Sequence, residues 1–218
     1  MIIEERMADY IASLESEMPE YLSVLEKHAL ENEVPIIRKD SQALLRFLIE
    51  LTRPSAILEI GAAIGFSAAF MSEYMPEGCK LTTIEKVEMR LVEARKNLAE
   101  IRRAQDVTLI EDDALNALKR LREEGRRFDF IFMDAAKAQY MNFLENALPM
   151  LKVGGVLVTD NVLQEGSIID SKFAIERRDR TIHMRMRDYL FEIKHDSKLT
   201  TSIVAVGDGM ALTFKKQD

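Results

Sequence analysis

The chain has 218 residues, 47% hydrophobic and 31% charged, with a formal net charge of −7. That length allows one α/β domain with a sizeable core, no apolar run is long enough to cross a bilayer, and the opening "MIIEERMADY" lacks the apolar stretch of a secretory signal. The single cysteine, Cys79, excludes a disulfide framework or a cysteine metal cluster and points to a reduced, cytoplasmic setting. The acidic balance weighs against nucleic acid as a partner without excluding a local basic patch.

Three N-terminal segments, "MADYIASL", "EYLSVLEKHALENE" and "DSQALLRFLIELT", place apolar residues at helical spacing. Pro35 interrupts them, and Asp40 or Ser41 is placed to cap the third. After Pro54 the period changes. Strands are predicted at 56–60, 80–85, 107–111, 128–134 and 154–160, and helices at 65–75, 88–103, 113–124 and 139–151. Strand and helix alternating in this way build a parallel sheet through crossover connections. A charged helix follows over 171–196. "TTSIVAV", "GDG" and "MALTFKK" then read as an antiparallel hairpin with a glycine turn. The expectation is one domain over 1–218: a Rossmann-like sheet of seven strands, mostly parallel, with residues 1–53 as a helical extension.

"LEIGAAIGFS" joins the first strand to a helix through Gly61 and Gly65. Ligands of open α/β sheets bind beyond the carboxyl ends of the strands, where glycine lets the backbone approach. A dinucleotide turn is G-x-G-x-x-G; here the middle glycine is missing, and Glu59 would repel a pyrophosphate. Glu59 suits a cation, such as the amino group and sulfonium of S-adenosylmethionine. Glu85 ends the second strand, placed for ribose hydroxyls, and Asp113 follows the third, placed for an adenine amino group. Taken singly, such acids are as readily helix caps. Taken together with the glycine spacing they outline a cationic nucleoside, with NAD as the weaker alternative.

"FMDAAKAQY" and "VTDNVLQEG" put Asp134, Asp160 and Asn161 at neighbouring strand ends. Two carboxylates and an amide are hard oxygen donors that suit Mg²⁺. Lys137 follows Asp134 at a spacing that aims an amine toward the same place. Each motif alone also reads as a turn or a helix start.

"EIGAAIGFS", "TIE", "DAL", "FIFMDAAKAQY" and "TDNVL" together resemble the metal-dependent class I O-methyltransferases of the catechol and caffeoyl-CoA type, over about residues 33 to 214. The resemblance implies the methyltransferase version of the sheet, S-adenosylmethionine as donor, Mg²⁺ and a homodimer. It implies metal ligation by Asp134, Asp160 and Asn161, Lys137 as base, and Asp134 close to the donor. Ser67, Glu85, Asp113 and Ala114 match donor-binding positions, as does the backbone at Ile37. Ala62 and Asp112 depart from the family pattern, and Asp112 adds a charge near the adenine end.

"EVPI", "DAAKAQYMNF", "TDNVLQEG", "RRDRTIHMRMRDYL" and "IVAVGDGMALTFKK" resemble more narrowly the bacterial tRNA 5-hydroxyuridine methyltransferases. That implies transfer to the 5-hydroxyl of a wobble uridine, with a small catechol or caffeoyl-CoA type of acceptor as the alternative. Lys172, Arg177, Arg178, Arg180, Arg185 and Arg187 face only Glu176 and Asp179 over 172–187. From that excess, Arg177, Arg178 and Arg180 are expected to grip a tRNA anticodon stem-loop. A non-catalytic nucleotide- or RNA-binding module is the reading from another class, and it would need neither Mg²⁺ nor Lys137. His183 and His195 are expected in solvent, Cys79 in the core, and at least one of Met184 and Met186 as core filler.

Overall fold

The computed structural model describes residues 5–171 and 173–218, so Lys172 of the basic stretch lies outside the described residues. Three helices, α1 (Glu5–Ser13), α2 (Glu20–Glu31) and α3 (Lys39–Thr52), precede the sheet. Strands and helices then alternate: β1 (Ala56–Ile60), α4 (Phe66–Tyr74), β2 (Lys80–Glu85), α5 (Glu88–Ala99), β3 (Val107–Glu111), α6 (Ala114–Glu123), β4 (Phe128–Met133), α7 (Tyr140–Ala147) and β5 (Leu151–Thr159). The helix α8 (Arg180–His195) and the strands β6 (Leu199–Val204) and β7 (Met210–Lys215) complete the chain.

The seven strands lie in the order β3-β2-β1-β4-β5-β7-β6. β1 to β5 are parallel, while β7 is antiparallel to β5 and to β6, as the sequence predicts. Crossover helices cover both faces, so the central strands are buried almost continuously rather than at alternate residues. Successive residues still divide between two cores. Ile57, Phe130 and Phe132 pack with α2, α3 and α4 on one face. Leu58, Ile131 and Met133 pack with α6, α7 and α8 on the other. Each is fully buried, and truncating any one of these to alanine costs about 2–5 kcal/mol. The strand order reverses between β1 and β4, which opens a crevice above their carboxyl ends.

Several boundaries differ from the sequence reading, and three of the differences have a visible cause. The helix expected over 171–196 begins only at Arg180. Before it, the Arg180 guanidinium donates to the carbonyls of Ile175 (3.0 Å) and Phe173 (3.5 Å), so a side chain satisfies groups that a helix would have paired. The N-cap of α3 is Arg38, with no side-chain cap bond, rather than Asp40 or Ser41. Asp40 instead accepts from the backbone N–H of Gly207 (2.7 Å), tying α3 to the β6–β7 turn. β5 starts at Leu151, because the preceding helix stops at Ala147 and a single tight turn, Leu148–Met150, closes it around Pro149.

Candidate active site

A cavity of about 770 Å³ occupies the crevice, lined by residues from the ends of β1, β2, β4 and β5 and by the segment before α3. Gly61 shows why the turn after β1 needs glycine. Its φ is +102°, and a Cβ there would collide with the carbonyl oxygen of Asp134. Gly61 and Ala62 both donate to the Ile84 carbonyl, and Ala63 donates to Glu85 Oε2 at 2.9 Å, so the turn is clamped to the end of β2. Gly65 is not part of the cavity wall. It starts α4 with φ +85° and leaves room for Leu98, so its service to a ligand is indirect.

Glu59 is fully buried behind that wall rather than on it. Its Oε2 accepts from the Thr83 hydroxyl at 2.5 Å, while Oε1 has no hydrogen-bond partner among the described residues. Burial pushes its carboxyl up to about 7, against the hydroxyls of Ser67 and Thr83, and the charges of Asp134 and Glu85 add to the rise. An orphaned buried carboxylate oxygen is costly unless a donor reaches it. Ser67 lines the cavity beside it, and Ile37 and Ala114 also contribute to the wall.

Glu85 is buried, and its Oε1 accepts from the backbone N–H groups of Lys86 and Val87, both at 2.8 Å. Asp113 caps α6 by accepting from Leu115 N–H (2.9 Å) and pairs with Lys86 Nζ (3.0 Å). It is therefore a helix cap as well as a cavity residue, and Lys86, which the sequence reading passed over, is its partner. The extra charge of Asp112 is answered by Arg120 at 2.9 Å.

Asp134, Asp160 and Asn161 come together at the ends of β4 and β5 and all line the cavity. The Asn161 side-chain amide donates to Asp134 Oδ1 (2.9 Å), and its backbone N–H donates to Asp160 Oδ1 (2.7 Å). Asn161 adopts φ +59°, a left-handed conformation that asparagine tolerates better than most residues. Tyr140, fully buried, donates its hydroxyl to the Asp160 carbonyl at 3.0 Å. Burial raises the carboxyl of Asp134, opposed by Asn161, Lys137 and Arg90. Burial and the charge of Asp134 push Asp160 up to about 7. Two crowded, desolvated carboxylates with an amide beside them match a hard divalent cation, which would relieve both effects. No group of three or more His, Cys, Asp or Glu side chains placed to hold an ion occurs among the described residues.

Lys137 begins a tight turn, Lys137–Gln139, and does not belong to the cavity wall. Its Nζ lies 3.3 Å from Oδ2 of Asp208, a buried acid in the "GDG" turn that does line the cavity. From the sequence, that turn reads as a hairpin connection alone. The signal available was a carboxylate between two glycines, where a solvated turn would be the ordinary reading.

The three arginines expected to grip RNA differ in their partners. Arg177 is exposed and makes no hydrogen bond or ion pair among the described residues. Arg178 pairs with Glu176 (3.1 Å) and Asp179 (3.3 Å), and Arg180 folds back on its own loop. None of the three lines the cavity. His183, expected in solvent, is buried on the inner face of α8, with both ring nitrogens unpartnered among the described residues. His195 is exposed, as expected, while Met186 and Cys79 are buried in the cores. No helix among the described residues is long and apolar enough to cross a membrane.

A catechol O-methyltransferase of Niastella koreensis is 32% identical over 127 residues, 58% of each chain. A Staphylococcus aureus protein provisionally described as a caffeoyl-CoA O-methyltransferase superposes with a TM-score of 0.89 at 32% identity, over 97% of this chain and 100% of that one. The O-methyltransferase TomG of Streptomyces achromogenes, solved with S-adenosylmethionine, gives 0.85 at 26% identity, over 99% and 100%. A family profile described as O-methyltransferase matches residues 12–216, and with it nearly the whole chain: the protein belongs to the O-methyltransferase family.

Proposed function

We propose that the protein transfers the methyl group of S-adenosylmethionine to one oxygen of an adjacent oxygen pair on an aromatic ring, a catechol or caffeoyl type of acceptor, with Mg²⁺ at Asp134, Asp160 and Asn161. The observation that carries this is a cavity lined by a carboxylate–amide cluster and backed by a buried carboxylate behind its wall. A buried carboxylate with a free oxygen, Glu59, lies just before Gly61 behind the wall, and Asp134, Asp160 and Asn161 line the cavity. The first fits the ammonium of the donor, and the second fits a cation that binds two neighbouring oxygens. Similarity to a catechol O-methyltransferase and to a protein described as a caffeoyl-CoA O-methyltransferase supports this acceptor class.

Glu85 keeps lone pairs for ribose hydroxyls after accepting its backbone donors, and Asp113 stands at the adenine end. A bound Mg²⁺ would lower the pKa of the acceptor hydroxyl and fix its direction. Lys137, in its neutral amine form, takes that proton on Nζ. The acceptor oxygen forms its bond to the methyl carbon as the carbon–sulfur bond breaks, which leaves S-adenosylhomocysteine. Most of the acceleration comes from holding oxygen, carbon and sulfur in line.

A second reading, the 5-hydroxyl of 5-hydroxyuridine in tRNA, keeps one specific support. Arg180, Arg185 and Arg187 bond only to backbone carbonyls, so their charge is not neutralised by a carboxylate among the described residues. 5-Hydroxyuracil offers the same adjacent pair through its 5-hydroxyl and 4-carbonyl. The test is product formation by mass spectrometry with S-adenosylmethionine and Mg²⁺, offering 3,4-dihydroxybenzoate, caffeoyl-CoA or tRNA bearing 5-hydroxyuridine. Methylation of either small acceptor, lost with a chelator, supports the first reading. Methylation of tRNA alone replaces it with the second, and transfer that survives the chelator refutes the metal.

A further inference from the structure

Asp208 is only 5% exposed, yet it sits at the tip of a hairpin turn. A carboxylate buried there needs partners, and they come from two separate parts of the chain. Oδ2 takes Lys137 Nζ at 3.3 Å, and Oδ1 accepts the backbone N–H of Glu165. Its own carbonyl accepts Leu163 N–H at 2.9 Å. The loop it holds is strained: Gln164 and Glu165 both have left-handed φ, +51° and +54°. Such backbone persists only where surrounding bonds impose it. The next residue, Gly209, makes room for the loop, because a Cβ there would collide with the Leu163 side chain.

We infer that Asp208 is a positioning residue for methyl transfer, one carboxylate oxygen fixing the Lys137 amine and the other fixing the loop at Glu165 beside the metal-ligand cluster. This rests on the reading of Lys137 as the group that takes the acceptor's proton. A lysine amine on four rotatable bonds has no fixed direction of its own, and Asp208 supplies it. The loop and the amine are set relative to each other because a single rigid carboxylate holds both.

The two roles separate by substitution. In Asp208→Asn the amide oxygen still accepts from Glu165 N–H, but the charge facing Lys137 is gone. Asp208→Ala removes both, and Asp208→Glu restores the charge. The experiment measures turnover with 3,4-dihydroxybenzoate and, in a parallel arm, with tRNA bearing 5-hydroxyuridine. The variants are these three, Lys137→Ala, and Lys137→Ala combined with Asp208→Asn. Calorimetry gives donor affinity, and amide exchange at Glu165 reports the loop. For Asp208→Asn, kcat should fall about ten- to hundredfold while KM stays within about twofold. The same change should cost nothing further on the Lys137→Ala background, and donor affinity should be unchanged. Asp208→Glu should recover part of kcat. Glu165 exchange should stay slow in Asp208→Asn and quicken in Asp208→Ala. An equal loss on the Lys137→Ala background, or fast exchange in Asp208→Asn, would make Asp208 merely structural and overturn the inference. Full turnover in Asp208→Asn while Lys137→Ala is crippled overturns the inference alone. Full turnover in Lys137→Ala overturns both it and the reading beneath it.

Discussion

Glu59→Gln should stabilise the ligand-free protein at alkaline pH while weakening donor binding. The ordinary carboxyl value is 4.5, and the folded protein raises Glu59 to about 7. At about 1.36 kcal/mol per tenfold change in proton affinity, ionising Glu59 at pH 8 costs the fold about 3 kcal/mol. The sign follows from the direction of the shift. The folded state binds the proton more tightly than the unfolded chain, so its contribution is fully present below pH 4.5 and is lost as pH rises to about 7. Glutamine carries no such dependence. It keeps an oxygen for the Thr83 hydroxyl, and its unmatched amide hydrogens cost about 1–3 kcal/mol at every pH. That constant cost cancels when mutant and wild type are compared at pH 5 and at pH 8. The stability difference should therefore move in favour of the mutant by about 2–3 kcal/mol between those values, since part of the cost is already present at pH 5, or about 2–4 °C in Tm for each kcal/mol. Thermal denaturation without donor or metal reads it. Calorimetry should show S-adenosylmethionine binding weakened about ten- to a hundredfold, the worth of a charge-assisted hydrogen bond. A stability difference equal at both pH values, or donor affinity unchanged by the substitution, would refute the argument.

Gly61→Ala should lose about 1–2 kcal/mol from the left-handed backbone alone, and more from displacing the Asp134 carbonyl. Chemical denaturation and donor calorimetry should both respond, and unchanged donor affinity would contradict the cradle. Asp160→Ala should abolish transfer with the fold intact and leave donor affinity within about threefold, since Glu59, Glu85 and Asp113 remain. Because burial and Asp134 raise Asp160 to about 7, protons should compete with Mg²⁺, and metal affinity should fall as pH drops below that value. A metal titration that is flat between pH 6 and 8 would refute it. Replacing Arg177, Arg178 and Arg180 by alanine should flatten the salt dependence of tRNA binding if RNA is the acceptor, and equal salt slopes would end that reading.

The seven strands and their helices were legible because their signal is local. Alternation, helical spacing and the residues at strand ends depend on neighbours within a few positions. The site was legible to the same extent: Asp134, Asp160 and Asn161 each stand where a strand stops, and parallel strands bring such ends together. Asp208 was not, because its partner Lys137 is 71 residues away and the two meet only through the placing of β7 beside β5. His183 misled for a related reason. It lies among charged residues in the sequence, yet it shares the inner face of α8 with Met186, Tyr189 and Ile193, and neighbouring elements decide which face is dry. The partners of the arginines before α8 were not legible, because a charge count ignores them: Arg178 pairs with Glu176 and Asp179, and the carbonyls that Arg180 bonds depend on how its loop turns. Chain order and residue type alone place the glycine turn, the acids and the strand ends. Which oxygen is left without a partner, as at Glu59, and which carboxylate holds the lysine are decided by packing between distant segments, where burial sets the cost of every unpaired group.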